Sequence, residues 1–231
     1  MALPKLEVPT YELKLPSTNK LITYRPFLVK EHKVLLTLQD ANAEEVSRII
    51  KELVDVCTFN SLKIADLANF DIEYIFLQLR CKSVGETLDL LINCECGNKI
   101  EHKANLLNAQ VVKKDGHSNK IQLTQSIGIE MRYPSFDEVL KVYESENKED
   151  IIKLVIKCIK GVYSKDDYWD SSEQTEQELI NFVNDFTKEQ FNKLEEFFVS
   201  MPKLEQVLEA DCNKCGKHNV VKLEGLQSFF V

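Results

Sequence analysis

A chain of 231 residues is long enough for one large domain or two small ones. Its 37 acidic and 29 basic side chains leave a net charge of -8, which argues against phosphate-backbone binding as the main task, because clustered Lys and Arg drive that contact. No apolar run approaches the roughly 20 residues needed to cross a bilayer, and residues 1–9 hold no stretch of signal-peptide length, so a cytoplasmic protein without a membrane partner is expected.

Two short strands open the chain. Tyr11 to Leu15 alternates apolar and polar residues, Pro16-Ser17-Thr18-Asn19 is turn chemistry, and Leu21 to Phe27 resumes extended character. Three helices follow. Val34, Leu35 and Leu38 mark the first; Val46, Ile49, Ile50, Leu53 and Cys57 line one face of the second, after a cap at Asn42. Ile72, Ile75, Phe76 and Leu79 mark the third, with Asp71 near its start and Gly85 ending the pattern.

The period then changes. Leu88 to Ile92 reads as a buried strand, Cys94 to Gly97 as a sharp turn and Lys99 to Lys103 as the return strand. Ile121 and Leu123, then Ile127, Ile129 and Met131, predict two more strands, with a turn at Asp115-Gly116 upstream. Ser135 with Glu138 forms a capping box that opens a second helical block. Ile151, Ile152, Val155 and Ile159 line its next helix, closed by Gly161, and Lys165 to Ser172 is expected as an exposed loop. Thr175 with Glu178 and Thr187 with Gln190 are further capping boxes; Phe191, Leu194, Phe197 and Phe198 form an apolar helix face, Pro202 stops it, and Leu204 to Glu209 returns to strand. Runs of strands and helices in blocks, without strict alternation, predict an α+β fold.

Seven cysteines divide into two kinds. Cys57, Cys81 and Cys158 stand alone in apolar helical patterns and read as small buried hydrophobes. The other four form two pairs, Cys94-Glu95-Cys96-Gly97 and Cys212-Asn213-Lys214-Cys215-Gly216, each set between two strands. This is zinc-ribbon construction: two hairpin tips offer two thiolates each, and a tetrahedral ion closes between them at ~2.3 Å from each sulfur. Glycine after the second cysteine suits a turn that needs positive φ. The single residue between Cys94 and Cys96 is less usual than two, which leaves His102 or His218 open as a substitute ligand. Four thiolates would leave no open coordination position, so the expected zinc is structural.

The expected organisation is a single discontinuous unit: about residues 1–86 as N-terminal strands plus helices, 87–133 with 203–231 as the zinc-ribbon-like β part, and 134–202 as a helical insertion. No Gly-rich phosphate loop, nucleophile turn or His-Glu-x-x-His helix is present, so no enzyme activity and no small-molecule substrate are expected.

Several stretches together carry a resemblance: Leu3-Pro4-Lys5-Leu6, Val8-Pro9-Thr10-Tyr11, Tyr24 to Glu31, Phe70 to Arg80 with Lys82 to Glu86, and the two cysteine pairs. In these the chain resembles contractile-tail bacteriophage proteins of the T-even type, assigned to the baseplate hub. The resemblance implies a non-enzymatic role in baseplate assembly inside the infected cell, as an assembly factor or as a minor hub component, with other baseplate hub proteins as partners. Two contact surfaces are suggested: the apolar tail with Phe229 and Phe230, and the segment with Arg25 and Phe27. For both, folding onto the core is the competing reading. The alternative function is a zinc-ribbon nucleic-acid binder using Lys99, His102, Lys103, Lys214, Lys217, His218 and Lys222. It lacks a stacking platform, because no aromatic residue lies between Leu88 and Glu130 or between Val199 and Gln227.

Overall fold

A computed structural model describes residues 6–36, 41–144 and 147–229; Leu38 and Phe230, named above, lie outside them. The chain is mixed helix and sheet and divides into two compact units, one formed by Met1–Val112 with Lys203–Val231 and the other by Lys113–Pro202.

The first unit opens with an antiparallel hairpin, β1 (Tyr11–Lys14) and β2 (Leu21–Tyr24), in which Tyr11 faces Tyr24. Its turn puts Asn19 at φ 57, a left-handed conformation that Asn tolerates better than most residues. Three helices follow: α1 (Val29–Leu35), α2 (Ala43–Cys57) and α3 (Asn69–Ser83). The Asn42 side chain accepts the Glu45 N–H at 2.9 Å, satisfying one of the free donors of α2 as its capping position requires. Burial of Ile49, Ile50, Leu53 and Cys57 confirms a one-sided α2.

Helix α3 differs. Eleven of its 15 residues are buried, including Asn69, Asp71, Glu73 and Gln78. It is the central helix of this unit, and its burial on all sides follows from apolar residues that do not keep to one stripe.

Two β layers complete the unit. Strands β3 (Thr87–Asn93) and β4 (Lys99–Asn105) form one hairpin. A three-stranded sheet holds β5 (Gln110–Val112), β10 (Lys203–Asp211) and β11 (His218–Glu224), with β10 in the middle. Lys203 pairs with Val112, so the chain leaves this unit and re-enters it on neighbouring strands. Leu77, Cys81, Leu88, Leu106, Ala109, Leu204 and Phe229 form one buried cluster beside α3.

The second unit begins at Lys113, upstream of the boundary expected near residue 134, and is not purely helical. Its four-stranded sheet runs β6 (Lys120–Gln122), β7 (Gly128–Met131), β8 (Ile159–Tyr163) and β9 (Tyr168–Asp170). Four helices accompany it: α4 (Phe136–Glu144), α5 (Lys148–Lys157), α6 (Glu176–Asn184) and α7 (Lys188–Ser200). The three capping pairs form as expected: Ser135, Thr175 and Thr187 accept the N–H of Glu138, Glu178 and Gln190 respectively.

Two expectations fail here. Helix α5 ends at Lys157, and Ile159 with Gly161 belongs to β8. Val155, Ile156, Cys158 and Ile159 all enter one core, so apolar residues interrupted only by Lys157 hide the change from helix to strand. The expected loop 165–172 also contains β9, because Tyr168 and Trp169 are strand-favouring residues that find β8 as a partner.

Candidate metal centre

The two hairpin tips of the first unit bring Cys94, Cys96, Cys212 and Cys215 together, with all four sulfurs within 4.8 Å of one another. The local backbone builds each tip in the same way. Cys94 N–H donates to Asn98 O at 2.9 Å and Gly97 N–H to Cys94 O at 2.9 Å. At the other tip, Cys212 N–H donates to Lys217 O at 2.8 Å and Gly216 N–H to Cys212 O at 2.8 Å. Gly97 and Gly216 sit at φ 80 and 72, where a side chain would be strained.

Below the tips, Ile92, Ile100, Ala104 and Leu208 pack around Cys94 and Cys212, which are buried. Cys96 and Cys215 are exposed. Across the hairpins, the sulfurs of Cys94 and Cys215 lie 3.7 Å apart, as do those of Cys96 and Cys212. A tetrahedron with Zn–S of ~2.3 Å has edges of about 3.8 Å. A disulfide needs ~2.05 Å between sulfurs, so these distances fit a shared ion and not a bridge.

The electrostatics agree. N–H groups of Cys215 and Lys214 point at the Cys212 sulfur, aided by the Asn98 side chain at 3.5 Å, and hold this thiol down to about 6. Cys215 also receives the Lys217 N–H, yet crowding by the sulfurs of Cys96, Cys212 and Cys94 pushes it up to about 12. Four sulfurs this close cannot all carry charge without a cation between them. The residues present therefore fit a tetrahedral, thiolate-preferring metal.

Asn98 and Asn213 were not singled out by spacing. The Asn98 amide nonetheless donates to Asn213 Oδ1 at 2.7 Å, a side-chain bond between the two tips. A second link runs from Lys217 Nζ to Glu95 at 2.6 Å. Only the position of Asn98 directly after Gly97 could have hinted at this role. His102 and His218 stand outside the cysteine cluster, and His218 is turned to Asp211 at 2.7 Å.

The suggested contact residues lie elsewhere. Arg25 is buried, its guanidinium donating to both carboxylate oxygens of Glu31 at 3.0 and 3.4 Å and to Pro26 O at 2.9 Å. Burial raises the Glu31 carboxyl, but Arg25 and the Leu28 N–H outweigh it and hold the group below its ordinary value. Phe27 is buried with its ring 5.5 Å from that of Phe76, and its N–H donates to Ser83 Oγ at 2.7 Å. Phe229 is 0% exposed. All three side chains are buried within the first unit. Cys57, Cys81 and Cys158 are buried, as expected.

The fold is α+β, and its distant hairpins bring four thiols together in a cluster that could hold a metal ion. The chain belongs to the T4 bacteriophage base plate protein family, which it matches over residues 8–231. No curated protein and no solved structure matches it. No helix among the described residues is long and apolar enough to cross a membrane.

Proposed function

We propose that this chain is a non-enzymatic baseplate hub protein that acts in tail baseplate assembly through protein contacts, as an assembly factor or a minor hub component. The observation that carries this reading is the reach of the family match, residues 8–231, which takes in both units and both cysteine pairs. A structural zinc ion is part of the proposal. Cys94, Cys96, Cys212 and Cys215 would hold it, and four thiolates would complete its shell, leaving no site for an activated water. The ion supplies a cross-link between residues 94–96 and 212–215 and thereby folding free energy.

The nucleic-acid alternative finds no support. Lys217 is paired with Glu95, Lys103 with Asp89, and Lys222 with Glu205 and Glu224, so much of the positive charge near the hairpins is already balanced.

Quantitative mass spectrometry of purified phage particles and of infected-cell lysate tests the role. A small fixed copy number per particle identifies a hub component. Abundance in lysate, association with baseplate intermediates and absence from particles identify an assembly factor. A chain in lysate that never co-fractionates with baseplate proteins would overturn both.

A further inference from the structure

The second unit carries an open cleft of about 290 Å³ between its sheet and α6, lined by Ile127, Val162, Trp169, Leu179 and Phe182, with Gly161 adding no side chain to it. This volume falls just under the ~300–1,000 Å³ typical of small-molecule sites and suits one or two side chains of a partner. Strand β9 is the outer strand of its sheet. It displays Tyr168 and Trp169, the chain's single tryptophan, at 47% and 43% exposure. Exposed aromatics on an edge strand are an association liability unless something covers them, and Trp and Tyr are the residue types that most often anchor interfaces.

Charge selects the occupant. From Asp166 to Glu178 the chain carries Asp166, Asp167, Asp170, Glu173, Glu176 and Glu178 and no Lys or Arg. Asp170 and Glu178 are engaged in accepting the N–H groups of Ser172 and Thr175. Glu178 lines the cleft, and Asp166, Asp167, Glu173 and Glu176 are exposed in the same acidic segment as the lining residues Trp169 and Gln174. A second copy of this chain, itself at net charge -8, would set this acidic segment against a chain of the same sign.

We propose that this cleft docks a cationic peptide segment of a partner protein, whose large apolar side chain seats between Trp169, Leu179 and Phe182 while its Lys or Arg residues face the acidic segment 166–178. The assignment rests on the protein-contact reading above for where the partner comes from. Its physical content is independent of that reading.

Fluorescence anisotropy on the full chain tests it with three labelled synthetic peptides: a Trp-Leu anchor flanked by lysines, the same anchor flanked by glutamates, and the lysine flanks with alanines in place of the anchor. Saturable binding is expected for the first alone, weakening as salt rises. Trp169→Ala should lower that affinity by about tenfold or more. Asp167→Lys with Glu173→Lys, both exposed in the acidic segment, should shift the preference toward the glutamate-flanked peptide. Equal binding of all three peptides, equal binding without the anchor, or no binding would overturn the proposal. So would sedimentation showing that Trp169→Ala converts a dimer into a monomer, because the occupant would then be a second copy. Particle mass spectrometry decides the baseplate role separately, so either idea can fail while the other stands.

Discussion

Glu73 illustrates what a single side chain costs and does in this protein. Its carboxylate lies within the first unit and accepts the Leu226 N–H at 3.2 Å, anchoring the final turn Leu226–Phe229. Burial raises it to about 7 despite hydrogen bonds from Leu226 and Asn69. Between its ordinary value of 4.5 and about 7, the folded chain holds a proton that the unfolded chain has released. Stability contributed by this group therefore falls as pH rises through that window, by on the order of 3 kcal/mol at full effect. Glu73→Gln keeps an acceptor for Leu226 and should flatten this slope, giving more stabilisation at pH 8 than at pH 5 in urea unfolding. An unchanged difference between the two pH values would show that Glu73 does not titrate there. Nothing in the sequence marks Glu73 as special, since its burial comes from neighbours far along the chain. The four-cysteine cluster was legible because the spacing supplied two pairs of thiols, each set between two strands. Asn98 and Asn213 were not, because a bond between hairpin tips has no local pattern.

At the scale of elements, caps and one-sided helices were read correctly because their signals are local. Asn42, Thr175 and Thr187 each cap where a polar side chain precedes a helical apolar pattern. The β8–β9 hairpin was hidden by apolar residues that serve helix and strand equally. Gly128 on β7 and Gly161 on β8 separate two kinds of crowding. A Cβ on Gly128 would overlap the Tyr163 ring end, and that ring can swing away. On Gly161 it would meet the Tyr168 ring end at 2.5 Å and also the Trp169 carbonyl oxygen at 2.8 Å, which belongs to the paired strand. Gly161→Ala is therefore expected to cost about 1–3 kcal/mol and to exceed Gly128→Ala, measured by thermal unfolding. A larger loss for Gly128→Ala would mean that the hairpin backbone yields more easily than the tyrosine.

For the whole molecule, block order conveyed the α+β class, and the distant cysteine pairs conveyed that the chain's end returns to its middle. The start of the inserted unit at Lys113 was not legible. Strands β6 and β7 resemble the preceding hairpin strands in pattern, and only the pairing of β7 with β8, and of β6 with β7, assigns them to the second unit. The long closed loop makes a clear expectation for metal removal. Chelation should raise hydrogen exchange in β3, β4, β10 and β11 while leaving the sheet formed by β6 to β9 protected. Loss of protection in the second unit first would place the metal's stabilising effect elsewhere.

The central claim is that a single ion bound by four sulfurs ties residues 94–96 to 212–215. X-ray absorption at the zinc edge on chain purified without added metal tests it most directly. One zinc per chain with four sulfur neighbours at ~2.3 Å is the expected result, with Cys212→Ser reducing both metal content and sulfur count. A metal-free chain that stays fully folded, or a first shell containing nitrogen or oxygen from another side chain, would contradict it.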